Sequence, residues 1–484
     1  MRIVEVQCAA TDNLGMHCVK FRGPGQACAA SGSRRYWVSQ QTMNAHSTPP
    51  QGYSRRGFLK QAVATCSALA TPGIVPASAL GRADAVTPSN RIVVGCIGVG
   101  GMGRGDMGLC MALPDVQVVA VSDPKREMRE GAKQAVDARY GNQACAAYND
   151  FRELVARPDI DAVSIASNDH WHVLHALAAA RAGKDVYVEK PLGLSIEEIK
   201  TLRSAVHRSE RIFQFGTQQR SMPNFRLACE LVLNGRIGKL HTIRVSAPSG
   251  FTERTGERTF AAAPVPEGFD YDMWLGPAPR APYTPKRVVN PHWFHISDYS
   301  LGYIAGWGIH HVDIAQWGNG SELTGPVEVV GSAVFPSDDG LCDNALMWDV
   351  TLTYANGVTL EYTSDGDRNP HGIRFEGSEG WVLVNRGEFD GQPKSLLEES
   401  LGPNEIHLPV STNHQRDWIN AIKSRGPTVA NIDVAVRSDT LCHLSDIAVR
   451  LGRKLRWDPG KEEFVNDPEA NRRLKRSMRS PWHL

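Results

Sequence analysis

RIVVGCIGVGGMGRGDMG, residues 91–108, opens with an unbroken apolar run and passes directly into glycines. The apolar run, Arg91 to Val99, suits a strand covered on both faces. It leads into Gly98-x-Gly100-x-x-Gly103 and then into a helical pattern. A second apolar strand, VQVVAVSD, follows and ends in Asp123, 25 residues after Gly98. Glycine-rich turns are common, so the motif alone says little. Strand, turn, helix, second strand and terminal acid together predict a dinucleotide-binding unit. Gly98 permits the tight turn, Gly100 lets a pyrophosphate approach the backbone, and Gly103 allows close helix–strand packing. The helix N-terminus offers unpaired N–H groups to the phosphates. Asp123 is expected to accept hydrogen bonds from ribose hydroxyls and to repel a 2′-phosphate, favouring NAD over NADP. Lys125 and Arg126 follow closely and soften that preference.

Strand and helix patterns keep alternating through DAVSIAS (161–167), DVYVEKP (185–191) and RIFQFG (211–216). That is one doubly wound parallel sheet, a Rossmann domain over residues 85–217. Ligands of such sheets sit beyond the C-terminal strand ends, where Asn168, Glu189, Lys190 and Gln218 converge. Asn168 and Glu189 are therefore expected beside the cofactor. From residue 218 to 484 the pattern becomes alternating (HTIRVSAP, VEVVGSAVF, ALMWDVTLTY, GVTLEYTS), which predicts an α+β domain with a largely antiparallel sheet. An insertion rich in Pro and aromatic residues spans 250–300. Its Trp274, Trp293, His295 and Tyr299 either stack on sugar faces or form the loop's own core. The tail, 466–484, reads as a solvated or subunit-contacting helix. No internal repeat is present.

A hydrophobic content of 42% and a charged content of 22% are those of an ordinary globular protein. The net charge of +1 divides unevenly: residues 1–84 sum to +6 and the remainder to −5, which argues against a nucleic-acid or anionic-membrane surface. No apolar run reaches the roughly 18–20 residues of a membrane span. None of the ten cysteines forms a Cys-x-x-Cys pair, so neither a metal site nor a disulfide framework is expected. Within the basic leader, SRRGFLK (54–60) precedes a weakly apolar stretch and the small residues Ala77-Ser78-Ala79. The string resembles a bacterial Tat export signal over about 54–79. It implies passage through the Tat machinery to the periplasm or otherwise out of the cell. Residues 1–42 fit no signal pattern, and Met43 is a plausible true start.

From about residue 91 onward the chain resembles the Gfo/Idh/MocA oxidoreductase family. Three features carry the resemblance: the glycine motif with Asp123, AGKDVYVEKPL (182–192) with its Glu-Lys-Pro signature, and GWGIHHVDIAQW (306–317). GSEGWVLV (377–384) and RKLRWDPGKEEF (453–464) look like an exported bacterial branch. The resemblance implies that Lys190 holds and polarises the reacting hydroxyl beside the nicotinamide, and that His310 is the catalytic acid/base. Asp313, three residues later, is placed to orient that imidazole or meet the substrate, with Trp293 and Tyr299 as further substrate contacts. His311 reads as structural. The family usually carries an aspartate four residues before the histidine, where this chain has Gly306, with Asp298 and Tyr303 as candidates to fill the space. The functional expectation is an NAD(P)-dependent oxidoreductase acting on a sugar, polyol or glycoside hydroxyl with tightly bound cofactor. The rivals are a redox-neutral glycoside-cleaving enzyme and a non-catalytic carbohydrate-binding protein. Exposed antiparallel strands imply a homo-oligomer.

Overall fold

The computed structural model describes residues 87–250, 261–336, 340–364 and 371–484; the leader lies outside the described residues. The apolar segments of the first half form β1 (Ile92–Ile97), β2 (Val116–Ser122), β3 (Ala146–Tyr148), β4 (Ala162–Ile165), β5 (Asp185–Val188) and β6 (Phe213–Phe215). They pair in the order β3-β2-β1-β4-β5-β6, all parallel. The order reverses direction at β1, so a crevice opens at the C-terminal ends of β1 and β4. All four residues of β4 and of β5 are buried, as continuous apolar strands covered on both faces require.

The second domain is built on a nine-stranded sheet. Its strands are β7 (Leu240–Ser246), β8 (Pro326–Val334), β9 (Met347–Tyr354), β10 (Thr359–Thr363), β11 (Gly372–Gly377), β12 (Trp381–Asn385), β13 (Glu388–Gln392), β14 (Leu455–Asp458) and β15 (Glu463–Phe464). Pairing is antiparallel except between β7 and β10. Along β9 every second residue is buried, so one face of the sheet is covered and the other is not. Helices Ile309–Gly318 and Ile432–Leu451 supply that cover. The uncovered face carries Arg244 paired with Glu361 and Glu376.

Two segments depart from a simple division at residue 217. Helix His414–Ser424 packs Trp418, Ile419 and Ile422 onto the outside of the Rossmann sheet. It is fastened there by Arg416 and Lys423 to Asp115, at 2.6 and 2.5 Å. The tail, read from the sequence as a helix, has only the short helix Pro468–Arg472; beyond it the chain runs without regular structure against the insertion.

The described part of the insertion, 261–300, is a strap laid across the crevice. It has its own core of Tyr271, Trp274, Leu275, Tyr283, Val288 and Tyr299. Its near end is stitched to the Rossmann domain backbone: Arg126 N donates to Gly268 O at 2.8 Å and Asp270 N to Pro124 O at 3.0 Å. Lys125 Nζ donates to Val288 O at 3.2 Å, and Trp171 Nε1 to Met273 O at 3.0 Å. Gly276 is obligatory here, because φ is +51° and a β-carbon would stand 2.2 Å from the Trp171 ring. The tail then holds the strap from outside. Arg479 donates to Gly276 O at 2.9 Å and pairs with Asp272 at 2.7 Å, while Trp482 meets the Trp171 ring edge-on at 4.7 Å.

Candidate functional site

A cavity of about 550 Å³ runs between the glycine turn and the strap. At one end, a β-carbon on Gly98 would fall 2.4 Å from Ser167 N and one on Gly103 would fall 1.9 Å from Gly98 O. Gly100 and Gly101 face open space, with nothing within 4 Å of an added β-carbon. A cradle closed to side chains on its packed side and open on the other fits a pyrophosphate lying over the helix N-terminus.

Asp123 lies in the same cavity with both carboxylate oxygens held by backbone: Val99 N at 3.1 Å and Lys125 N at 2.9 Å. Burial pushes its carboxyl up, while those two donors and the nearby Lys125 and Arg129 oppose the rise. The bonds fix the rim of the carboxylate where a ribose diol is expected. Lys125 is not free to receive a 2′-phosphate, being bonded to Val288 O and set over the Phe269 ring at 5.0 Å. Of the basic pair expected to soften the NAD preference, Lys125 is thus spent on anchoring the strap, while the Arg126 side chain stays exposed.

At the other end of the cavity lie Asn168, Asp169, His172, Glu189 and Lys190. His172 joins the two strand ends, its ring nitrogens 2.6 Å from Pro191 O and 2.9 Å from Ser167 O, and so holds the backbone beside Lys190. Glu189 is turned inward: its Oε1 accepts from Gln218 at 2.6 Å and from the Tyr187 hydroxyl at 3.1 Å, and burial raises its pKa. Lys190 Nζ donates to Gly306 O at 3.2 Å, which ties the lysine to the segment that starts the His310 helix.

His310 is buried, and its Nδ1 has no hydrogen-bond partner among the described residues. Burial, then the Lys190 and Arg386 cations, hold its pKa well below the ordinary histidine value. The ring is therefore a neutral imidazole at neutral pH. Arg386 reaches this place from the β12–β13 turn, its guanidinium 5.7 Å from the Trp307 ring, which meets His310 at 5.9 Å.

Other expected contacts fall elsewhere. Asp313 does not reach His310: its oxygens accept from Arg220 at 2.7 and 2.8 Å and from Ser438 at 2.7 Å, in a fully buried ion pair. Tyr299 is wholly buried in the strap's core with its hydroxyl on Arg287, and Trp274 packs beside it. His295 is buried against Tyr303. Trp293 alone of the four named insertion residues combines partial exposure with a place on the cavity wall, stacked on Phe294 at 4.0 Å. Neither Asp298 nor Tyr303 occupies the space beside Gly306. Phe294 does, since a β-carbon there would stand 2.4 Å from its Cε1. His311 is bonded through Nδ1 to Ser246 O at 2.9 Å. Asp169, His172 and Phe294 were not singled out from the sequence. The string NDHWH after a buried strand carried the signal for the first two.

A cradle open to a pyrophosphate, a carboxylate fixed by backbone beside it and Lys190 on the far wall of one cavity fit an NAD-binding Rossmann domain. Residues 92–217 match the family model described as oxidoreductase family, NAD-binding Rossmann fold, and residues 224–484 match its C-terminal alpha/beta domain. The chain belongs to the Gfo/Idh/MocA oxidoreductase family. It is 29% identical over 154 residues to the myo-inositol 2-dehydrogenase of Thermotoga maritima, covering 32% of this chain and 44% of that one. It is 31% identical over 175 residues to a glycosyl hydrolase family 109 protein of Saccharopolyspora erythraea, covering 33% and 38%. The chain thus spans less than two thirds of the length of these curated relatives. Among solved structures, levoglucosan dehydrogenase in complex with NADH and levoglucosan shares the fold, with a TM-score of 0.55 at 19% identity over 76% of this chain and 99% of that one.

Proposed function

We propose that this protein oxidises a hydroxyl group of a sugar, polyol or glycoside, using an NAD molecule that stays bound beneath the strap through many turnovers. The observation that carries the reading is the place of Lys190 on the wall of the dinucleotide cavity, with Nζ bonded to Gly306 O in the segment that leads into the His310 helix. When bound, NAD supplies a hydride acceptor. Lys190 donates to the hydroxyl oxygen and stabilises the charge that develops on it. His310 accepts a proton from the substrate. Trp293 and Phe294 wall the site against water. A retained cofactor would have to be re-oxidised in place, with the hydride returned to a second carbonyl compound.

A redox-neutral glycoside-cleaving reaction is the second reading. It is favoured by Phe294 lying where a carboxylate beside Lys190 would otherwise stand, and by the likeness to a glycosyl hydrolase family 109 protein. The test is an absorbance and mass analysis of the purified protein before and after mixing with candidate glycosides. NADH that persists until a carbonyl compound is added supports the oxidoreductase; free sugar with no net redox change supports cleavage. Absence of stoichiometric dinucleotide counts against both, and a broad sugar panel without response favours a carbohydrate-binding protein.

Export through the Tat route belongs to the same proposal. The six cysteines of the described residues are unpaired and buried, which suits folding in a reducing compartment before export. Arg55→Lys with Arg56→Lys is expected to leave the protein in the cytoplasm. We also assign the uncovered face of the nine-stranded sheet to self-association, which sedimentation of the purified protein tests.

A further inference from the structure

Two chain neighbours, Gln218 and Gln219, join the cavity wall to a second cation. Gln218 donates to Glu189 Oε1 at 2.6 Å, and Glu189 lines the cavity beside Lys190. Gln219 is fully buried. With its amide oriented so that both ends are satisfied, it donates to His310 O at 2.6 Å and accepts from Arg386 Nε at 3.3 Å. The segment that starts the His310 helix makes the same link. Gly306 O accepts from Lys190, and Trp307, one residue on, carries the Arg386 guanidinium 5.7 Å from its ring.

The turn that presents Arg386 is built rather than loose. Asn385 Oδ1 accepts from Arg386 N at 2.7 Å, its Nδ2 donates to His371 O at 2.9 Å, and Asn224 Nδ2 donates to Asn385 O at 2.8 Å. The His371 ring lies 4.8 Å from Trp307 on the same side. Arg386 and His371 are exposed and Trp307 partly so, while His310 is buried behind them. Among the described residues no carboxylate forms an ion pair with Arg386 or with Lys190. The one acid whose charge bears on Arg386 is Glu189, and its Oε1 already serves Gln218 and Tyr187. A guanidinium fixed at its Nε, laid against an indole and left with its other donors unpaired suits a planar or tetrahedral oxyanion.

We propose that Arg386 determines substrate specificity: it receives a carboxylate or phosphate group carried by the carbohydrate whose hydroxyl meets Lys190. The inference rests on the alcohol-oxidising reading above and narrows its substrate to an anionic sugar. Trp307 supplies the apolar wall between the two cations, and Gln219 holds Arg386 in register with the His310 helix.

The test is calorimetric binding and single-turnover NAD reduction with matched sugars: glucose, glucuronate and glucose 6-phosphate, then galactose and galacturonate. At least one anionic sugar is expected to bind at least about tenfold more tightly than its neutral counterpart, as a charged hydrogen bond gives. That preference should shrink as salt is added. Arg386→Met should bring the two affinities level, and Arg386→Lys should restore part of the difference. Comparing affinities as a ratio cancels what the substitution does to both sugars alike through His310. Preference for the uronates identifies a carboxylate, and preference for glucose 6-phosphate a phosphate. A parent protein that binds no anionic sugar more tightly than its neutral counterpart overturns the proposal. So does a preference that survives in Arg386→Met, or one in the parent that salt leaves unchanged, which needs no variant to fold. Tight binding of an anionic sugar without NAD reduction defeats the oxidation reading and leaves Arg386 its ligand. Reduction by neutral sugars with no anionic preference does the reverse.

Discussion

The ring of Phe294 occupies the volume that any side chain at Gly306 would need, with 2.4 Å between its Cε1 and the position of an added β-carbon. The pair is a unit: the glycine admits the strap, and the strap fills the glycine's space. Gly306→Asp alone is expected to destabilise through overpacking, by about 1–3 kcal/mol, seen as a Tm lowered by a few degrees. Phe294→Ala added to it should recover most of that loss. A single variant as stable as the parent would show that the ring yields freely.

Retention of the cofactor is expected to depend on Arg479, which no cofactor atom needs to touch. Its bonds to Gly276 O, Ala278 O and Asp272 hold the outer side of the strap. Arg479→Ala should raise the dinucleotide dissociation rate by about tenfold or more, the effect of losing roughly 1.4 kcal/mol. Dinucleotide content after extended gel filtration checks this.

Cofactor choice is expected to turn on Asp123. With Lys125 engaged by Val288 O, Asp123→Ser should weaken NAD without creating a good NADP site. The outcome to look for in calorimetry is NAD affinity lower by about 10–100-fold, from lost charged hydrogen bonds, and NADP binding still weaker than parental NAD binding. Efficient NADP binding by the single variant would contradict the assignment of Lys125.

His310 is expected to stay neutral at pH 6. Burial and two cations disfavour its charged form, so protonation comes only as pH falls well below the ordinary value of about 6.5. Arg386→Met removes one cation and should raise the midpoint, read from the His310 ring signal in a histidine-labelled NMR titration. An unmoved midpoint would place Arg386 too far away to act on the ring.

The Arg220–Asp313 pair is fully buried, with Arg220 also set 4.8 Å from the Trp317 ring. Asp313→Ala leaves a buried guanidinium with less compensation and should cost about 3–5 kcal/mol of stability. Denaturant unfolding measures it, and the dinucleotide content of the surviving folded protein should match the parent.

What could be read from the sequence was whatever depends on neighbours along the chain. The turn from Gly98 to Gly103 and the acid at Asp123 are set by one βαβ unit, and their roles follow from local geometry. Lys190 and His310 were picked out through short motifs, and the structure joins Lys190 to the segment that leads into the His310 helix. Asp313 shows where such reading ends. Helical spacing puts it one turn from His310, but Arg220 and Ser438, distant in sequence, take its oxygens. Trp274 and Tyr299 had two readings because an aromatic loop can bury its rings in itself or show them to a ligand, and only packing chooses. The tail was unreadable for the same reason. Its basic residues suggested a solvated helix, whereas Arg479 finds the carbonyls of a strap some 200 residues earlier.

That last separation has a temporal side. The floor of the cavity, through Lys190, leaves the ribosome roughly 290 residues before Arg479, an interval of about 15–60 s at ordinary rates of synthesis. Throughout that interval the outer clasp does not yet exist, and the strap, once made, is held only by its bonds to the Rossmann domain. On the proposed retention of the cofactor, loading is then an event of biosynthesis, and the finished protein is expected to carry the dinucleotides present where it is translated.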